Sequence, residues 1–454
     1  MIIFMHIKKQ ANFHEKVAKI SIIIRTLARL KIFIYFYMSE IIKIKKGLTI
    51  NLFGEAEKTI SEISPKRCAI KPTDFIGVFP KMLVQEGDQV KAGTHLFFDK
   101  YREKIHFTSP VSGTVKELKR GEKRVLLEIV IESDGKDEAV DFGKADPNKM
   151  SRDEIIEKLL VSGLWPMIRQ RPYSIIAEPS VKPKAIFISA FDTAPLAPDY
   201  DLIVHNNGEA FQAGIDALTR LTDGKVHLNL HAGSTPSKVF TNCKGVQINR
   251  FSGKHPTGNV GTQIAHIDPI NKGDIVWYLR PQEVLHIGRL FLHGRFDATQ
   301  LVALTGSEVT RPHYVKAKIG TSVAEMTADH VKAGNNRYIS GNPLTGKKIE
   351  KGGFLGFYDS QVTVIPEGDH FEFLGWAMPG FKKFSFSHAF FSWLKPNAKY
   401  RLDTNYQGGE RAFVMTGQFE KVFGWDILPL QLIKAIMIED IDLMEKLGIY
   451  EVDE

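Results

Sequence analysis

The side chains of this 454-residue chain that could do chemistry gather in two short stretches. Residues 253–269, GKHPTGNVGTQIAHIDP, set Gly253, Gly258 and Gly261 among a His-Pro and an Asp-Pro pair. Glycines at that density mark a backbone that takes positive φ or admits another surface at close range. Loops of this kind carry function on a rigid scaffold. The stretch shows no apolar face of helical or strand period, so a loop is expected throughout. His255 adds a ring that can donate or accept a hydrogen bond. The second stretch, residues 163–171 (GLWPMIRQR), joins the aromatic face of Trp165 to the permanent cations Arg169 and Arg171.

Much other chemistry is excluded. Cys68 and Cys243 are the only two cysteines, and they match no metal or redox spacing. An iron–sulfur cluster takes about four thiolates, so this chain holds none alone, and two reduced thiols are expected. There is no HExxH, no Walker loop and no intact GxGxxG. GNPLTGKK (341–348) has the residue types of a phosphate loop at the wrong spacing, in β-rich surroundings, and is rejected.

Hydrophobic residues at 43% and charged residues at 25% are those of a soluble globular protein, with length for about two to four domains. The formal charge of +8 misleads. Residues 1–37 hold Lys8, Lys9, Lys16, Lys19, Arg25, Arg29 and Lys31 against Glu15 alone. Without them the chain is near neutrality and no nucleic-acid footprint survives. The apolar run 20–37 is broken by Arg25, Arg29 and Lys31, too often for a spanning helix. An over-extended gene start, with translation beginning at Met38, is the expectation, and a basic surface anchor is the alternative.

These residues need elements to hold them. From 75 to 132, short β-rich runs separated by Gly87, Gly93, Gly113 and Gly121 indicate a small all-β unit. Residues 134–149 are polar and acidic and read as a linker. Ser151 and Glu154 form a capping box for a helix over 152–162. Beyond it, strands at 185–189 and 225–230 and a further strand before a helix near 209–222 predict a parallel α/β domain, and, after the glycine-rich stretch, 274–279 leads into a helix-like run at 283–294. A second β-rich module is expected over 311–366, then a mixed region with an aromatic run at 381–393 and one helix at 430–447. The aromatic run is expected in a core or at an interface with another subunit.

The pair VQEGDQVKAGTHL and FTSPVSGTVKEL resembles the biotinyl/lipoyl hammerhead, whose modified lysine sits on a hairpin tip. Lys100 and Lys104 lie in that region without the family's flanking residues, so a structural hammerhead is the expectation. A wider resemblance follows from IKKGLTI, FTSPVSGTV, VSGLWPMIRQRPYS, AIFISAFDTAPLAPD, GKHPTGNVGT, RYISGNPLTG, GWAMPGFKKFS and EKVFGWDILPL. In that order, over nearly all of 38–454, they resemble the A subunit of the sodium-translocating NADH:quinone reductase. More distantly they are similar to the C subunit of the Rnf complex and the flavin-carrying protein of respiratory complex I. In those relatives a glycine-rich loop wraps a flavin phosphate, whereas here Gly163 is followed by Trp165 and Pro166. The acidic loop keeps Asp192 and Pro195 without its cysteine.

The resemblance implies a multidomain α/β protein. Residues 38–133 would form a hammerhead-like module and 150–310 a Rossmann-like domain with a degenerate flavin loop. Residues 311–370 would form an SLBB-like module and 371–454 a mixed region. It implies a peripheral protein on the cytoplasmic face of the bacterial inner membrane, held by integral membrane subunits of the same complex. No cofactor would be bound by this chain; NADH, flavins and iron–sulfur clusters would belong to partner subunits, with quinone as the ligand. Family members usually continue beyond the position of Glu454, so a missing C-terminal segment is expected. A quinone site needs an apolar slot with donors near the carbonyl oxygens. The candidates are Trp165, Arg169, Arg171, His255 and Gly258. A purely structural docking role in the complex is the alternative.

Overall fold

Four sheets carry the architecture of the computed structural model, which describes residues 41–453 apart from 235, 371, 407, 408, 410 and 411. The basic stretch 1–37 lies outside the described residues. The largest sheet has seven strands in the order Ile41–Lys43, Gln247–Ser252, Val226–His231, Ile186–Ser189, Val276–Leu279, Arg169–Arg171 and Ile175–Ile176. The first five run parallel, Arg169–Arg171 runs antiparallel to them, and Ile175–Ile176 turns back antiparallel to Arg169–Arg171. Strands buried on both faces read as apolar runs, which is why IFIS and VWYL are buried at every position. The chain passes from Ile186–Ser189 outward to Val226–His231 and Gln247–Ser252. It then crosses back to place Val276–Leu279 on the other side of its starting strand. In open α/β sheets the crevice beyond the strand ends at such a reversal is where ligands bind.

The helix Arg152–Val161 starts with the expected capping box, Ser151 Oγ accepting from the Glu154 amide and the Glu154 carboxylate from the Ser151 amide. Gly208–Thr219 and Pro281–His293 pack against each other beside the sheet. The linker is pinned to the second of these by the Phe142 amide, which donates to Gly294 O at 2.6 Å.

The β-rich unit is built from two small sheets. One orders Arg67–Ile70, Leu126–Ser133, Gly113–Arg120 and Gln89–Val90, and the other Pro80–Met82, His95–Asp99 and Arg102–Thr108. Their apolar faces meet in a core where Phe97 stacks on Phe107 at 4.3 Å. Lys100 lies in the tight turn between the last two strands, and Lys104 is exposed on Arg102–Thr108. The remaining sheet orders Lys347–Ile349, Asn336–Ser340, Gln361–Pro366, Thr299–Thr305, His313–Lys318 and Glu57–Glu62. Both cysteines are free, as expected, and burial pushes the Cys68 thiol up to about 12. Among the described residues no helix is long and apolar enough to cross a membrane.

Several sequence expectations need correction. The stretch 253–269 is not all loop, because Val260–Ile267 is a helix with Ile264 buried. Val260, Ile264 and Ile267 recur at helical spacing and pack on Phe187 and Tyr278, a period hidden by the flanking glycines. Among the described residues no strand stands between Ser189 and the helix near 209; Tyr200–Ile203 is a helical turn whose first amides Asp199 caps. The helix expected over 430–447 is two, Pro429–Met437 and Ile441–Lys446, with Glu439 between them at φ 56°. The second β-rich module begins earlier than 311, at Thr299. The first two strands of the expected 38–133 module belong elsewhere: Ile41–Lys43 pairs with Gln247–Ser252, and Glu57–Glu62 with His313–Lys318.

Candidate functional site

At the sheet's reversal point, beyond Ser189 and Leu279, two adjoining cavities of ≈ 190 and ≈ 90 Å³ open between the α/β domain and the six-stranded sheet. Arg169, Asp192, Tyr200, Arg280, Asn342 and Thr345 line both. The smaller one adds Arg171, His255, Gly258 and Gly261, with the rings of Phe191, Tyr278 and Trp425.

Arg169 is buried, and its guanidinium lies between the rings of Tyr358 at 4.3 Å and Tyr278 at 4.6 Å. Stacking of this kind suits a planar cation that keeps its in-plane N–H groups for partners. One Nη sits 3.7 Å from the Glu283 carboxylate. Glu283 also accepts from the Arg280 amide at 2.5 Å, closing the capping box of Pro281–His293. Burial holds the Glu283 carboxyl above the usual carboxylate range against the pull of Arg169 and Arg280. Arg280 reaches the Tyr358 carbonyl at 2.7 Å. Arg171 lies 5.4 Å from the Tyr278 ring and 3.7 Å from the Asp453 carboxylate. Asp453 also accepts from Ser174 Oγ, which lies 2.6 Å from the Tyr278 hydroxyl.

The glycine loop forms the opposite wall. Its Gly258 amide donates to Thr193 Oγ1 at 2.9 Å, and the same hydroxyl meets His255 Nδ1 at 3.2 Å. Burial lowers the His255 pKa below the ordinary imidazole value, which favours a neutral ring. Gly258 does not need a left-handed φ. Its requirement is close approach: a Cβ there would sit 2.5 Å from the Thr193 nitrogen. Gly261 similarly lets the first turn of Val260–Ile267 lie against Arg171, whose Nη1 would be 3.0 Å from a Cβ.

Three groups on residues lining the cleft are unpaired. Among its lining residues, the buried side-chain atoms left without a hydrogen-bond partner are Arg169 Nε, Arg171 Nε and Trp425 Nε1. All three are N–H donors. A buried donor without a partner costs about 1–3 kcal/mol, so the arrangement favours a ligand that offers acceptors.

Three family models match consecutive parts of the chain: the NqrA N-terminal barrel-sandwich hybrid domain over 42–134, the NqrA second alpha/beta domain over 150–296 and the NQRA C-terminal domain over 301–351. Relatives named as the A subunit of Na(+)-translocating NADH-quinone reductase match along most of both lengths. That of Yersinia pestis bv. Antiqua (strain Angola) is 41% identical over 418 residues, covering 91% of this chain and 93% of the relative. The chain belongs to the NqrA family, the A subunit of the Na(+)-translocating NADH-quinone reductase. The proteins of that name from Photorhabdus laumondii subsp. laumondii and Klebsiella pneumoniae (strain 342) are each 39% identical, with the same two coverages.

Within this NqrA fold, four of the five site residues expected from the sequence come together: Arg169, Arg171, His255 and Gly258 line one cavity. Trp165 does not join them. It is wholly buried in the main core, its indole N–H donating to Ala177 O at 2.8 Å and its ring meeting Trp277 edge-on at 5.5 Å. Tyr278, Arg280, Tyr358 and Trp425 are additions that the sequence pattern does not single out. The Arg280-Pro281 pair with Glu283, a helix start at the end of a strand, is the available signal for Arg280. Tyr358 and Trp425 reach the cleft only through tertiary packing.

Proposed function

We propose that this chain serves its complex by holding the quinone headgroup in the cleft walled by Arg169, Arg171, His255 and Gly258. The carrying observation is the set of three unpartnered buried N–H donors facing no acceptor of the protein's own. A quinone offers carbonyl oxygens and no donor. Its oxygens gain negative charge on reduction, which guanidinium groups stabilise. Phe191, Tyr278 and Trp425 supply the ring faces that a flat headgroup needs. Electrons arrive from partner subunits that carry NADH, flavin and iron–sulfur chemistry. The segment matching a flavin loop is filled here, since Trp165, Pro166 and Met167 are buried and Tyr358 donates to Pro166 O at 2.7 Å. The protein then sits on the cytoplasmic face of the membrane, held by integral partners. The test is a photoreactive quinone analogue on the intact complex with peptide mapping. Label on peptides spanning 169–171, 255–261 or 425 is expected, and label confined to other regions would reject the assignment.

A second reading, docking, has its own observation. Most exposed large apolar side chains among the described residues lie after residue 370, including Phe373, Trp376, Phe381, Trp393, Met437 and Ile438. Apolar surface concentrated in this way marks an interaction face, so the 381–393 run is assigned to an interface with a partner of the complex. None of these side chains lines the cleft, so docking and quinone binding are compatible.

A further inference from the structure

Behind the glycine loop runs a line of buried amides that the cleft itself does not use. Ser189, Asn229 and Asn249 stand in register on three adjacent parallel strands. Gln263, from the helix Val260–Ile267, bridges the first two. Gln263 and Asn229 are wholly buried, and Ser189, Asn249 and His227 nearly so. Gln263 Nε2 donates to Ser189 Oγ at 2.8 Å and to Thr257 O at 3.1 Å, and Ser189 Oγ lies 2.9 Å from Gly258 O. On its other side Gln263 Oε1 accepts from Asn229 Nδ2 at 2.8 Å. Asn229 Oδ1 accepts from Asn249 Nδ2 at 2.8 Å, and the same Nδ2 lies 3.2 Å from His227 Nδ1.

The direction of this chain of bonds follows from its ends. Backbone carbonyls only accept, so the amide nitrogen of Gln263 must face Thr257. Its oxygen then faces Asn229, which has to donate, and Asn229 presents its oxygen to Asn249, which has to donate in turn. His227 Nδ1 must therefore be an unprotonated acceptor, and burial lowers that ring's pKa to about 4. Each amide has one workable orientation, and each fixes the next. Fully satisfied buried networks of this sort rigidify what they touch.

We propose that Gln263 is a positioning residue which, backed by Asn229 and Asn249, fixes the His255–Gly258 wall and so sets the width of the cleft. The inference rests on the quinone reading of that cleft for its functional consequence, while its structural consequence can be read separately. Held this way, the wall meets a ligand preorganised, with His255 and the Gly258 backbone already in place.

The experiment uses the assembled complex carrying Gln263→Met, which keeps the shape and removes the amide's donor and its strong acceptor. Two quantities are read: amide exchange in the peptide covering 253–259, and KM and kcat for quinone. Exchange is expected to quicken at least tenfold and KM to rise about tenfold, with kcat changed less than twofold. Gln263→Glu, whose buried acid keeps one donor when neutral, should fall between. If Gln263→Met does not fold, Asn249→Asp removes the donor to Asn229 from farther away and should shift both quantities in the same direction. Unchanged exchange in a folded variant overturns the proposal. So does a loosened loop with unchanged KM, when Arg171→Met raises KM in the same assay. If the loop loosens and neither variant moves KM, positioning is upheld and the quinone reading of the cleft fails.

Discussion

Gly258→Ala places one methyl group where the cleft wall packs against the backbone of residues 192–193. Its Cβ would lie 2.5 Å from Thr193 N and 2.9 Å from the Asp192 Cα and carbonyl carbon. All three are backbone atoms, so no side chain can swing aside. Relief to ordinary contact requires a shift of roughly 1 Å between the two loops, a strain of about 1–3 kcal/mol. That shift also stretches the hydrogen bonds from Gly258 N to Thr193 Oγ1 and from Ser189 Oγ to Gly258 O, both 2.9 Å, worth about 1 kcal/mol each. The folded state should survive, with Tm lowered by less than about 10 °C. Turnover is more sensitive, because a 1 Å displacement of positioning groups costs on the order of 100-fold. The assay is NADH-to-quinone turnover in the purified complex, with thermal unfolding of the same sample. Gly352→Ala, where a Cβ meets nothing within 4 Å, serves as the control and should be silent in both. Turnover of the Gly258→Ala complex within twofold of the parent would refute the reasoning. Failure of that complex to assemble would move the loop's role to docking.

Arg171→Met removes a guanidinium whose Nε has no partner, and should raise quinone KM by about ten- to a hundredfold, the value of one charged hydrogen bond, as steady-state kinetics will read. His286, 2% exposed, has its pKa lowered to about 4 by burial. The unfolded chain therefore binds the extra proton between about pH 6.5 and 4, and about 3 kcal/mol of stability present above that window is lost as pH falls through it. His286→Gln should flatten that part of the stability curve in urea titrations, and an unchanged slope would count against the assignment. Trp376→Glu with Trp393→Glu should leave the isolated protein's Tm within a few degrees while reducing its recovery with the membrane subunits in pull-down. The isolated protein purified from a flavin-replete host should lack the near-450 nm absorbance of a flavin, and a stoichiometric yellow preparation would reopen the reading of residues 163–169.

The sequence is most legible where local rules act alone. The Ser151/Glu154 capping box and the apolar strands at 186–189 and 226–231 depend on spacing and polarity within a few residues. Arg169, Arg171, His255 and Gly258 stand out because charge and glycine are unusual beside apolar runs. Trp165 misleads because a tryptophan next to a proline looks the same whether it faces a ligand or a core. The helix Val260–Ile267 is hidden because its apolar face spans only two turns after a glycine-rich lead-in. Gln263 carries no local signal either: its partners lie on strands up to 74 positions away in sequence. The charge imbalance of residues 1–37 is plain from composition, but those residues lie outside the described structure.

The two short strands at Ile41–Lys43 and Glu57–Glu62 have a consequence for how the protein is made. They leave the ribosome before the sheets they complete. Glu57–Glu62 waits for His313–Lys318, which translation at about 5–20 residues per second supplies roughly 10–50 s later. Until their partners emerge, Gln247–Ser252 for the first and His313–Lys318 for the second, the nascent chain carries strands with open hydrogen-bonding edges, a hazard that folded proteins otherwise hide. Chaperone demand during synthesis should therefore be set by this early segment, and a 38–134 fragment expressed alone would display the same unsatisfied edges permanently.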